Sequence, residues 1–63
     1  KLTVDYVGGD YTVSLIDLSG VVVLHQECTI GRSLIDVTTL AQGFYLLKIE
    51  SEGKYYFEKI QKK

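Results

Sequence analysis

The sequence predicts an all-β protein, a small antiparallel sandwich or open barrel of six to seven short strands. Three observations predict it: apolar and polar residues alternate with period two in successive short runs, turns bearing glycine and aspartate separate those runs, and no stretch carries a helical period. At 63 residues the chain makes one domain. A chain of this size buries only about 60% of the surface it exposes when unfolded, so its core supplies little net stability.

The elements follow in order. Leu2, Val4 and Tyr6 share one face of a first strand, which begins at Lys1 and is broken by Gly8-Gly9-Asp10 as by a hairpin turn. Tyr11, Val13 and Leu15 share a face of the second, and Asp17-Leu18-Ser19-Gly20 supplies a tight turn, because the aspartate carboxylate can accept from backbone amides ahead of it and Gly20 tolerates positive φ. Val21-Val22-Val23-Leu24 is an unbroken apolar run, which predicts a strand covered on both faces, with His25, Gln26 and Glu27 leading out to solvent.

Cys28 to Ser33 has no period and is expected to be a connection, with room for a short strand piece over Cys28 to Ile30. A short strand over Leu34 to Val37 follows, with Ile35 and Val37 inward. Thr38 to Gly43 is too short and too β-branched for a helix, and a single helical turn with Leu40 plugged into the core is expected. Phe44 to Glu50 is the clearest strand, with Tyr45, Leu47 and Ile49 on one side. Ser51-Glu52-Gly53 closes a hairpin, Gly53 standing where positive φ is needed. The last strand runs from Lys54 to about Gln61, with Ile60 inward and Lys62 and Lys63 frayed. In Tyr55-Tyr56-Phe57 the middle ring points away from its neighbours, so one set is expected in the core and the other exposed.

Composition narrows the function classes. Seven basic and eight acidic residues give a net charge of −1, which offers no field to gather nucleic acid or an anionic membrane. No apolar run reaches the roughly 20 residues needed to span a bilayer as a helix. Cys28 is alone, so no internal disulfide forms, and it is expected to be a half-buried small side chain. His25 is the only histidine and stands three positions from Cys28, on the opposite face of a regular strand, so it is expected to be an exposed rim residue without a nucleophile beside it. One His and one Cys fall short of a structural zinc site, and no metal or other cofactor is expected. Asp17 and Asp36 sit where a strand meets a turn and are expected to cap those turns. Glu50 and Glu52 flank a hairpin tip and are expected to be solvated. No catalytic constellation emerges, so the chain is not expected to be an enzyme.

Three segments carry more than strand grammar: Val13 to Val23 with its Asp17-x-Ser19-Gly20 turn, Ile35-Asp36-Val37-Thr38-Thr39-Leu40-Ala41-Gln42-Gly43-Phe44-Tyr45, and Lys59-Ile60 close to a basic C-terminus. Together, in this order and over most of the chain, they resemble the type A C-terminal sorting domain of the type IX (Por) secretion system. The chain departs from that family in lacking an Asn-Pro opening and in carrying Val21 where a basic residue commonly follows the turn. The first strand is therefore expected to be incomplete, and the chain to be a piece excised from a larger secreted protein, beginning in mid-strand without a leader.

The resemblance implies an Ig-like β-sandwich that directs an N-terminal cargo domain from the periplasm across the outer membrane of Bacteroidetes-type bacteria. A sortase-like peptidase then removes it, and the cargo ends secreted or at the cell surface. It implies recognition by the secretion machinery through Gly43, Tyr45, Lys59, Ile60, Lys62 and Lys63, of which the three lysines are expected to be read and Tyr45 and Ile60 also to hold the sandwich together. A strand-exchanged dimer is compatible with an open C-terminal edge. The alternative is a sandwich module for adhesion or carbohydrate binding, using exposed tyrosines.

Overall fold

Six strands form in the computed structural model, which describes residues 2–63: β1 (Leu2–Tyr6), β2 (Tyr11–Ile16), β3 (Val22–Cys28), β4 (Gly31–Ile35), β5 (Gly43–Ser51) and β6 (Lys54–Lys62). They build an Ig-like sandwich of two antiparallel sheets. The smaller pairs β1 with β4; the larger has the order β3-β2-β5-β6. The expected strand onset at Lys1 lies outside the described residues.

The alternation of Tyr11, Val13 and Leu15 makes β2 the hub. Its apolar face is buried against the smaller sheet, and hydrogen-bonded neighbours flank it on both sides. Val4, Cys28, Ile35, Tyr45 and Leu47 complete the core. Tyr11 also fastens the two sheets together. Its hydroxyl lies 2.9 Å from the Gly31 carbonyl, to which it donates, and 2.9 Å from Ser33 Oγ, which can donate back. A phenol buried this way is stable only because its polar tip is satisfied.

Several local expectations are corrected. Gly8-Gly9-Asp10 does not close a hairpin, because β1 and β2 belong to different sheets; the segment carries the chain across. Gly8 lies under the Tyr6 ring, where an added Cβ would come within 2.5 Å of the hydroxyl. The Val21–Val23 run is not covered on both faces: Val21 and Val22 are 56% and 54% exposed. β3 lies at a sheet edge, with a register shift opposite Leu15 and Ile16, so a valine run there reflects strand propensity rather than burial. His25 and Glu27 are exposed as expected, but the three residues His25, Gln26 and Glu27 belong to β3, paired with Ser14, Val13 and Thr12. Cys28 joins the core rather than being half-buried.

The fourth strand starts at Gly31 and ends at Ile35, earlier than the expected Leu34 to Val37. Val37 packs against the core from beyond the strand. Thr38 to Gly43 holds a turn rather than a helical turn, closed by the Leu40 amide donating to the Val37 carbonyl at 3.1 Å, with Leu40 resting on the core as expected. At the last hairpin Ser51 pairs with Lys54, leaving Glu52 and Gly53 as a two-residue loop. Their φ values of 51° and 79° are those of the mirror-image turn that matches strand twist.

β6 differs most from expectation. Tyr55, Tyr56 and Phe57 are 53%, 47% and 58% exposed, so neither set enters the core. Two strands cannot cover the inner face of four, and of β6 only Ile60 packs against the core. Tyr56 instead leans on Tyr6, ring centroids 5.6 Å apart, and their hydrogen bond pushes the Tyr6 phenol above its ordinary pKa.

The Asp17 turn forms as expected. Asp17 Oδ1 accepts from Ser19 Oγ at 2.6 Å, the Ser19 amide at 2.9 Å and the Val21 amide at 3.0 Å, and Gly20 has φ +91°. The Ser19 hydroxyl first, and the Val21 amide second, hold the carboxyl below its ordinary pKa. A depressed folded-state value means stability that is present above the unfolded pKa and lost as pH falls through the folded one. Asp17→Asn is therefore expected to lower the urea midpoint at neutral pH, and the gap from the parent should close below the carboxylate range. A gap that is constant with pH would contradict this account of the turn.

Candidate functional site

The residues singled out by the sequence meet at one end of the sandwich, where β5 begins and β6 finishes. Gly43 stands opposite Lys62, Tyr45 opposite Ile60 and Leu46 opposite Lys59. The backbone at Gly43 has φ +146°, and the chain turns there from the Thr38–Gln42 loop into β5. The buried Tyr45 ring donates its hydroxyl to the Ala41 carbonyl at 2.6 Å, tying the loop to the strand that follows it. Asp36 repeats the device used at Asp17. Its Oδ1 accepts from Thr38 Oγ1 at 2.7 Å and from the Thr38 amide at 3.0 Å.

The three lysines separate in role. Lys62 does not fray: it is the last residue of β6, and its Nζ donates to the Leu40 carbonyl and, at 3.3 Å, to the Thr38 carbonyl. These carbonyls belong to a turn whose own amides leave them unpaired, and the ammonium satisfies them. Lys59 lies on the outer face of the larger sheet, Nζ 4.8 Å above the Phe44 ring, a contact worth about 0.5–1 kcal/mol at an exposed site. Lys63 follows the strand and is exposed. Lys59 and Lys63 thus present cations to solvent, whereas Lys62 clasps the loop that carries the Ile35–Tyr45 segment. Beneath that loop is a cavity of about 280 Å³, floored by Leu15, Val37, Leu40, Tyr45 and Ile60.

The opposite end is acidic. Asp10, Glu27, Glu50 and Glu52 line an open depression of about 430 Å³. Asp10 is committed to structure, its Oδ1 accepting from the Ile30 amide at 2.9 Å. Among the described residues no group of three or more His, Cys, Asp or Glu side chains is arranged to hold a metal ion. Glu50, expected to be solvated, is half-buried, while Glu52 is exposed.

A Ser14–His25 pair is present that residue spacing did not reveal, with Ser14 Oγ 3.2 Å from His25 Nδ1. Only the β2–β3 register brings them together, and no local signal encodes register between strands. Ser14 is 7% exposed, so its hydroxyl braces the sheet and does not face solvent.

The fold and this end of it define a class: a small Ig-like sandwich module whose β5–β6 hairpin carries exposed cations and an open strand edge. The chain belongs to the family of secretion system C-terminal sorting domains, which it matches over residues 1–63. No curated protein and no solved structure matches it. Membership makes the chain a C-terminal sorting signal of type IX secretion, part of a protein in transit to secretion or the cell surface.

Proposed function

We propose that this domain carries an N-terminal cargo through the periplasm to the outer membrane, is gripped there by the type IX machinery at its β5–β6 hairpin, and is then removed by a sortase-like peptidase. The domain performs no chemistry of its own in this reading, and recruits no cofactor. The observation that carries it is the placement of the family-matching segments: Gly43 to Tyr45 pairs with Ile60 to Lys62 across a single hairpin, the Lys62 side chain holds the loop that follows Asp36, and Lys59 and Lys63 are free to contact a partner. Gly43, Tyr45, Ile60 and Lys62 hold that surface in shape.

The test is to fuse residues 1–63 behind a periplasmic reporter and compare a type IX-competent strain with one lacking the machinery. Export only in the competent strain is expected. Retention of the reporter in both strains, with the domain folded, would overturn the reading. The second reading, carbohydrate binding, is favoured by the exposure of Tyr55, Tyr56 and Phe57. Retention together with glycan binding that is lost on tyrosine replacement would turn the assignment to it.

A further inference from the structure

β6 is a long strand with one unused edge. It pairs with β5 alone, runs nine residues and shows no register shift. The other edges are less available: β3 is interrupted by its irregularity, and β1 and β4 are five residues each. Because the β5–β6 hairpin has a two-residue loop, Ser51 and Lys54 form a hydrogen-bonded pair, and alternate pairs down the ladder are bonded with them. The backbone amides and carbonyls of Tyr55, Phe57, Lys59 and Gln61 therefore point away from β5. Their side chains share the outer face of the sheet, where Lys48 Nζ also lies 4.9 Å above the Tyr55 ring.

Charge decides what fits this edge. β6 and Lys63 carry four lysines against one glutamate, a net +3, whereas the whole chain is −1 and the remaining residues therefore carry −4. A second copy is a poor occupant. The antiparallel register that would use all four outward residues sets Lys54 against Lys62 and Glu58 against its own counterpart, and like charges directly opposite destabilise a sheet. The lysines thus discourage self-pairing while attracting the opposite charge.

We infer that the open edge of β6 is a docking site for an extended, acidic segment of a partner protein, which adds as a fifth strand to the larger sheet. The added strand bonds to the backbone of Tyr55, Phe57, Lys59 and Gln61. Its acidic side chains share the inner face with Lys54, and its apolar ones share the outer face with Tyr55, Phe57 and the aliphatic stem of Lys59. This rests on the sorting reading only in identifying the partner as part of the secretion machinery; the edge chemistry stands without it.

The probe is a peptide of alternating Val and Glu as long as β6, with a Val and Lys peptide as its counterpart, each titrated into the 63-residue chain. The acidic peptide is expected to slow amide exchange at Tyr55, Phe57, Lys59 and Gln61 and to bind at least about tenfold more tightly than the basic one. Phe57→Pro removes one outward amide without breaking the β5 ladder and is expected to abolish binding. Should that variant not fold, the Lys54→Glu, Lys59→Glu double variant is expected to reverse the preference. Equal binding of both peptides, protection at β3 instead, no protection at all, or self-association through the same four amides would overturn the proposal. If secretion of the reporter persists alongside any of these, the sorting assignment stands and the edge proposal alone falls.

Discussion

Leu15→Ala is expected to remove a large fraction of the domain's stability, moving its urea midpoint well below the parent's. Leu15 is fully buried at the centre of β2, opposite Leu24 of β3 and Leu47 of β5, and lines the cavity beneath the Thr38–Gln42 loop. Removing its isobutyl group forfeits the transfer energy of those carbons and enlarges that cavity, a combined cost of about 2–5 kcal/mol. A domain of this length has a total stability of only about 3–9 kcal/mol, so the loss is a large fraction of the whole. Urea denaturation followed by circular dichroism, with the dispersion of the amide spectrum as a second probe, measures it. A midpoint shift equivalent to less than about 1 kcal/mol would mean that β2 is not the hub of the core.

Lys62→Met comes next in expected effect. The methionine keeps the aliphatic stem but removes the ammonium that holds the Thr38 and Leu40 carbonyls, leaving both to water. Hydrogen bonds from a charged donor contribute about 1.5–3 kcal/mol, and the partial exposure of this one reduces the expected loss to about 1–2 kcal/mol. The loss should be local as well as global. Amide exchange is expected to accelerate from Val37 to Gln42, most plainly at Leu40, whose amide bonds to the Val37 carbonyl. The same midpoint and the same exchange as the parent would show that Lys62 is free, as the frayed-tail expectation had it.

That expectation illustrates what the sequence makes legible. Leu2-x-Val4-x-Tyr6, Tyr11-x-Val13-x-Leu15 and Tyr45-x-Leu47 alternate cleanly because each has one face on the core, and those faces are the ones the structure buries or half-buries. The Asp17 and Asp36 turns are legible for a similar reason, since an aspartate two residues before a hydroxyl closes its turn with local atoms only. Sheet membership is not local. Nothing in Gly8-Gly9-Asp10 says whether the next strand pairs back or crosses over, and nothing in Val21-Val22-Val23 distinguishes an exposed edge from a buried centre.

The start of β4 escaped notice because its inward positions before Ile35 are Gly31 and Ser33, which are neither apolar nor periodic. Their place in the fold depends on Tyr11, twenty or more residues away in the chain. The candidate site shows the same division. The family-matching segments were visible as words, but Lys59, Lys62 and Lys63 look alike in a sequence. Only the β5–β6 register puts Lys59 on the outer face and turns Lys62 toward the loop.

This separation also sharpens how the sorting signal is to be tested. Deleting Lys59 to Lys63 would remove Ile60 and Lys62 along with the exposed cations, confusing recognition with stability. Reversing only Lys59 and Lys63 leaves the core and the loop clasp in place. The decisive measurement is the extracellular fraction of a reporter carrying residues 1–63 with Lys59→Glu and Lys63→Glu, in a type IX-competent strain, beside the unfolding midpoint of the same variant. The account predicts a near-parental midpoint with export reduced to that of the reporter lacking the domain. Undiminished export of the charge-reversed domain would contradict it.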